Sequence, residues 1–135
     1  MSRSISILGF VAAAVFASSA PAAIITFTVP LDGRQEIFGP TTPTPGLPNA
    51  GDLDGSGTAV LRLDDRTSTI EWHITVQDIG GTVAAAHIHN APAGINGGIV
   101  IDFSGRLSGS TTDPDVLNVL ANPSNYYVNV HTPAF

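Results

Sequence analysis

The 135-residue chain contains no cysteine and no lysine. Without cysteine it cannot form a disulfide scaffold, an iron–sulfur site or a zinc site with thiolate ligands. Its five basic residues, all arginine, are outnumbered by 11 acidic residues, which gives a formal charge of −6. Binding to nucleic acid or to an anionic membrane surface needs clustered lysine and arginine. The sequence therefore predicts neither of these partners.

Charged residues are also scarce, at 12% of the chain, whereas hydrophobic residues make up 43% and glycine occurs 14 times. Disordered chains have the opposite balance, with few apolar residues and a high charge. The composition therefore predicts a folded protein that is rich in turns. Its length favours a single domain.

Residues 1–22 are predicted to be a signal peptide. Arg3 precedes an apolar run over residues 7–17, which is shorter than the roughly 20 residues of a membrane-spanning helix. Ala20 and Ala22 supply the small-residue pattern of a cleavage site, so we expect cleavage after Ala22. An uncleaved membrane anchor is the alternative. The expected mature chain, residues 23–135, is exported to the extracellular space, the periplasm or the cell surface and is not membrane-bound.

The mature chain has the residue alternation of a β protein. Apolar and polar residues alternate in several short stretches separated by turn residues, as in strands that bury one face. The predicted strands cover residues 25–29, 59–63, 70–76, 83–89, 99–103 and 126–131. Short strands at this spacing predict a β-sandwich or barrel. Ser110 is placed in a glycine-rich turn.

Two segments interrupt the strand pattern. Four prolines within Phe38–Gly57 predict a long surface loop, because proline cannot pair in a central strand. One short helix is predicted near residues 113–121. Thr112 or Asp113 would cap it, and its apolar stripe is expected to consist of Val116, Leu117 and Leu120.

A histidine pair marks the predicted strand over residues 83–89. His87 and His89 are two residues apart, so their imidazoles lie on the same face of the strand. His131, near the end of the last strand, is the expected third ligand. Tyr127 and Asn129 lie on its face and are candidates to orient the ligands without binding the metal themselves. Three histidines with an open fourth position suit zinc or copper.

Simpler explanations exist for these features. His87 and His89 are alternatively surface or hydrogen-bonded histidines without a metal, and His73 is expected to face solvent. Asp52–Gly57 matches the first half of a calcium loop, but Leu63 occupies the twelfth position, where that loop needs a bidentate carboxylate. The segment is therefore expected to be an ordinary turn. No nucleophile or acid–base pair is evident, so no catalytic residue is predicted.

Several motifs resemble the CHRD domain family, which is named after chordin. Ala86–Gly97 resembles the family signature A-H-I-H-x-x-x-x-G-x-x-G, and Asn122–Thr132 resembles N-P-x-x-Y-Y-V-N-V-H-T. Leu31–Glu36 is similar to the opening L-x-G-x-Q-E, and Gly55–Asp64 is similar to the strand G-x-G-x-A-x-x-x-L-D. The four motifs occur in the family's order and extend from Phe27 to the end.

The resemblance implies an antiparallel β-sandwich of the immunoglobulin-like or superoxide-dismutase-like kind. Bacterial members look like exported proteins of poorly defined role, and animal members occur in extracellular antagonists of bone morphogenetic proteins. The recurring histidines of the family correspond to His87, His89 and His131. The family pattern continues beyond His131-Thr132 with a further strand, so residues 23–135 are expected to lack the last strand of the domain.

The favoured prediction is an exported, non-catalytic binding module with a three-histidine site for copper or zinc. Its partner would be an unidentified extracellular protein or polysaccharide. One alternative is a copper- or zinc-dependent extracellular enzyme, dismutase-like or of another redox type. The chain lacks a suitably placed fourth histidine, which disfavours dismutase activity. Another alternative is a structural protein of the cell surface or matrix.

Overall fold

The computed structural model describes residues 23–35, 54–92 and 95–133. The predicted signal peptide and most of the predicted proline-rich loop, including Asp52, lie outside these ranges. Within them, no helix is long and apolar enough to cross a membrane.

The described residues form two antiparallel sheets. Their strands are β1 (Ile24–Asp32), β2 (Ser56–Asp64), β3 (Thr69–Gln77), β4 (Ala85–Asn90), β5 (Gly98–Asp102), β6 (Ser108–Thr112) and β7 (Tyr126–His131). One sheet has the order β1-β2-β3-β6, and the other has the order β5-β4-β7. The predicted all-β, sandwich-like fold is confirmed.

Strand β3 shows why the chain folds this way. Ile70, Trp72 and Ile74 are buried, whereas the alternating residues Glu71 and His73 are exposed. Successive side chains of a strand point to opposite faces, so this sequence buries only one face of the sheet. The solvent exposure predicted for His73 is confirmed.

The core lies between the inner faces of the sheets. It includes side chains from both sheets and from α1 (Asp115–Ala121), the one α-helix in the described part of the chain. Its largest fully buried members are Phe103, Leu63, Ile70, Ile88, Ile101 and Val116. A continuous apolar layer therefore joins the two sheets.

The placement of Ser110 in a turn is wrong, because β6 is a strand that pairs with β3. Its Gly109 lies opposite Trp72 in the register. A Cβ atom at Gly109 would lie 2.7 Å from the Trp72 ring. The glycine therefore makes room for a core indole.

The short helix is confirmed, but its apolar stripe differs from the prediction. Val116 and Val119 are buried and Leu120 packs against the core as predicted, whereas Leu117 is 46% exposed. The two valines are three residues apart and so share one face of the helix. A carboxylate oxygen of Asp113 accepts a hydrogen bond from the backbone N–H of Asp115 at 2.9 Å, near the expected N-terminus.

Candidate metal centre

Strand β4 is the central strand of its sheet and presents two chemically different faces. Ala86 and Ile88 point into the core and are essentially inaccessible to solvent. Because side chains alternate along a strand, His87 and His89 project from the opposite, outer face. Alternation along β4 therefore places both imidazoles on the same face of the sheet, opposite the core.

Strand β7 completes the cluster. It pairs with β4 so that Ala85 lies opposite His131, His87 opposite Asn129, and His89 opposite Tyr127. Residues directly opposite each other in an antiparallel pair share a face of the sheet. His131 therefore lies on the same outer face as the two histidines of β4, one diagonal step from His87.

The three histidines come together as the sequence predicts. One ring nitrogen from each of His87, His89 and His131 lies within 4.8 Å of the others. The ring centroids of His87 and His89 are 4.9 Å apart, and those of His87 and His131 are 5.1 Å apart. His87 is buried, and the other two are partly buried. The arrangement is positioned to bind a metal ion.

The distance between the two β4 imidazoles agrees with shared coordination. His89 Nε2 lies 3.1 Å from His87 Nδ1. Two nitrogens bound tetrahedrally to one ion at about 2.0–2.1 Å would lie about 3.3–3.4 Å apart. Coordination of both nitrogens would lengthen this contact by a few tenths of an ångström and would replace the hydrogen bond between the two rings with bonds to the ion.

The Gly97 peptide contacts two side chains of the cluster. Its carbonyl oxygen lies 2.9 Å from His89 Nδ1, and its N–H donates to the Tyr127 hydroxyl at 3.3 Å. The Tyr127 ring also stacks on the His89 ring, with centroids 4.9 Å apart and planes 6° apart. Tyr127 therefore contacts His89 directly, whereas Asn129 lies opposite His87 across the strand pair.

Electrostatics favour the neutral form of the central histidine. Burial lowers the pKa of His87 below its ordinary value, and the nearby His89 and His131 lower it further. Asp102, which lies opposite His87 on β5, acts in the opposite direction. A neutral imidazole is the form that binds a metal.

Gly97 and Asp102 are two neighbours of the cluster that were not predicted from the sequence to belong to the site. Gly97 is the last glycine of the motif A-H-I-H-x-x-x-x-G-x-x-G, so a signal for it was present in the sequence. Asp102 follows a predicted strand, but its position beside His87 depends on which strands pair. Alternation within one strand does not contain that information.

The other residues considered as possible ligands lie away from this cluster. His73 belongs to the four-stranded sheet and is exposed. Of the partial calcium loop, Asp52 lies outside the described residues, and Leu63, at the twelfth position, is fully buried in β2. Among the described residues, the three-histidine cluster is the one group of metal-ligating side chains with suitable spacing.

Comparison with known proteins identifies one family. The model of the CHRD domain matches residues 27–135. No curated protein and no solved structure matches the chain.

Proposed function

The chain belongs to the CHRD domain family, and we propose that it is an exported binding module in which His87, His89 and His131 hold one copper or zinc ion. The observation that carries this proposal is the convergence of three imidazole nitrogens within 4.8 Å on one sheet face. Its partner is proposed to be an extracellular protein or polysaccharide that docks on or beside this face.

The donor set supports copper or zinc over the harder cations. Imidazole suits zinc and copper, whereas magnesium and calcium prefer carboxylate, carbonyl and water oxygens. All three donors of the cluster are imidazoles. Three protein ligands would leave a fourth position open for water or for a group of a partner.

The position of strand β1 supports the proposed cleavage site. Strand β1 begins at Ile24, two residues after the predicted cleavage site at Ala22. The backbone N–H and carbonyl of Ala23 both hydrogen-bond to Asp65, in the turn between β2 and β3. Cleavage after Ala22 would therefore leave every residue of β1 in the mature chain.

A metal-dependent enzyme is the second candidate. Asp102 favours it, because its carboxylate lies opposite His87 in the strand register and remains exposed. A metal with an open position can polarise a substrate or activate water, and a nearby carboxylate can accept the released proton. The binding module and the enzyme differ in whether the metal-loaded protein turns over a substrate.

Metal analysis of the purified protein tests the proposed site. The protein is loaded separately with copper and zinc, freed of loose metal by gel filtration and analysed by mass spectrometry of the elements. We expect one ion per chain. The triple variant His87→Ala/His89→Ala/His131→Ala should lose it, while His73→Ala, which removes an exposed histidine elsewhere, should retain it.

The proposal fails if the folded parent binds no copper or zinc, or if the triple variant retains the full metal content. A circular dichroism spectrum of each variant confirms that it is folded. If the parent binds metal, a screen for redox and hydrolytic activity, with Asp102→Asn as the informative variant, separates the enzyme from the non-catalytic module.

A further inference from the structure

We propose that the Gly97 peptide positions the metal centre by fixing His89 in the Nδ1–H tautomer, so that Nε2 is the nitrogen presented to the metal. This inference rests on the proposed metal site, and it adds to that site a backbone group that binds no metal itself. Gly97 and Tyr127 act on the metal only through His89.

The first step is the tautomer of His89. A backbone carbonyl oxygen can only accept a hydrogen bond, so Nδ1 must carry the proton that it shares with the Gly97 oxygen at 2.9 Å. In a neutral imidazole the other nitrogen, Nε2, then carries the lone pair. That lone pair points at His87, whose Nδ1 lies 3.1 Å away. The nitrogen facing the cluster is thus the one able to bind a metal.

The second step is the orientation of the ring. The Tyr127 ring lies nearly parallel to the His89 imidazole, with planes 6° apart. The Tyr127 hydroxyl accepts the Gly97 N–H at 3.3 Å. The contacts form a closed loop from His89 to Gly97, from Gly97 to Tyr127, and from Tyr127 back to His89. Stacking on Tyr127 therefore fixes the plane of the His89 ring. The hydrogen bond to Gly97 fixes the direction of Nδ1 within that plane.

The third step explains why residue 97 is a glycine. A Cβ atom there would overlap the carbonyl oxygen of Asn90 and lie 2.9 Å from the Ala91 Cβ. The backbone at residue 97 thus runs so close to the end of β4 that a side chain would push it away from His89. The adjacent Gly98 has no such restriction, because nothing lies within 4 Å of its Cβ position.

These contacts have a consequence for affinity. A histidine ligand whose second ring nitrogen is hydrogen-bonded keeps the correct tautomer and orientation, and loss of such a partner typically weakens metal binding 10–100-fold. We therefore expect Gly97→Ala to weaken zinc binding by about this factor. Tyr127→Phe keeps the stacked ring and removes only the hydroxyl, so its effect should be smaller but in the same direction.

The experiment reads the tautomer directly. Long-range ¹H–¹⁵N correlation spectra of ¹⁵N-histidine-labelled protein distinguish Nδ1–H from Nε2–H imidazoles, first without metal and then with one equivalent of Zn²⁺. In the metal-free parent we expect His89 to be the Nδ1–H tautomer, and with zinc we expect coordination through Nε2. Zinc affinity is measured by competition with a chelator for the parent, Gly97→Ala, Tyr127→Phe and the matched control Gly98→Ala.

The outcomes separate this inference from the proposed function. Nδ1–H at His89 in the metal-free parent, lost in Gly97→Ala and kept in Gly98→Ala, supports the fixing of the His89 tautomer by Gly97 whether or not zinc binds. The Nε2–H tautomer in the parent, coordination through Nδ1, or unchanged zinc affinity in both Gly97→Ala and Tyr127→Phe overturns it. Failure of the parent to bind any copper or zinc overturns the metal site instead. If Gly97→Ala does not fold, Tyr127→Phe decides the affinity comparison.

Discussion

The indole of Trp72 stacks on the phenyl ring of Phe103, with centroids 4.4 Å apart and planes 12° apart. Trp72 belongs to β3, in the four-stranded sheet, and Phe103 directly follows β5, in the three-stranded sheet. The indole N–H donates to the backbone carbonyl of Arg106 at 2.9 Å, so its one polar group is satisfied within the core. This aromatic pair is a specific contact between the two sheets.

Phe103→Ala should therefore be strongly destabilising. Phe103 is fully buried, and replacing a buried phenylalanine by alanine typically costs about 3–5 kcal/mol of unfolding free energy. Urea unfolding followed by tryptophan fluorescence measures the change. Leu117→Ala, at a half-exposed helix position, serves as the control and should cost far less. A similar loss in both variants would show that Phe103 has no special place in the core.

Gly109→Ala should destabilise the protein through the same indole. The added methyl would lie 2.7 Å from the Trp72 ring, and overpacking of a core typically costs about 1–3 kcal/mol. We expect a lower thermal midpoint and an altered Trp72 emission spectrum. Gly98→Ala adds the same methyl group in open space and should leave both unchanged. An unaltered midpoint in Gly109→Ala would contradict the close packing of β6 on β3.

Stability should fall as the pH falls below the ordinary pKa of histidine. The folded protein lowers the pKa of His87, chiefly through burial. The unfolded chain, with an ordinary value near 6.5, therefore binds more protons in the window between the two pKa values. Stabilisation by neutral His87 is complete above about pH 6.5 and decreases as the pH falls towards the folded pKa.

Thermal unfolding of metal-free protein between pH 5 and 8 checks this dependence. His87→Gln, which does not titrate, should flatten the decline below pH 6.5. His73→Gln, which removes an exposed histidine of the other sheet, should preserve it. An equally steep decline in both variants would mean that another group is responsible.

The new amino terminus that the proposed cleavage after Ala22 would create should form an ion pair. The nitrogen of Ala23 lies 3.1 Å from a carboxylate oxygen of Asp65, and cleavage would convert this nitrogen into an ammonium group. Exposed ion pairs contribute little and are screened by salt. Asp65→Asn should therefore lower the thermal midpoint of the processed protein slightly at low salt, and less at high salt.

Intact mass spectrometry of the protein recovered outside the cytoplasm of an expressing bacterium establishes whether Ala23 is the first residue. Asp78→Asn, at another exposed carboxylate, controls for the general effect of removing one negative charge. A mature chain that begins elsewhere, or a salt-independent effect of Asp65→Asn, would rule out the proposed ion pair.

For most strands, the position in the sequence and the buried face could be predicted from alternation alone. His87 and His89 were placed on the same face of their strand in this way. The proximity of His131 could not be predicted from alternation, because it does not specify which strands are neighbours. Only the pairing of β7 with β4 brings its imidazole to the cluster. His131 was expected to be a ligand because it lies near the end of the last predicted strand, and the resemblance to a family supported that expectation.

Strand β6 could not be predicted from its own sequence at all. Its sequence, Ser108 to Thr112, consists of serine, threonine and glycine, and glycine is depleted in strands. Pairing with β3 and the space taken by the Trp72 ring determine its conformation, and both depend on residues more than 30 positions away. The role of Gly97 is hidden for the same reason, since its partners are fixed by the fold.

All three histidines of the cluster come from β4 and β7, and they lie on the face of that sheet that points away from the core. A bound ion would therefore link two strands that the backbone ladder already joins, and it would not connect one sheet to the other. Folding should need no metal, in contrast to domains that are unfolded without zinc. Substitutions could therefore remove or exchange these ligands without disturbing the packing of the core.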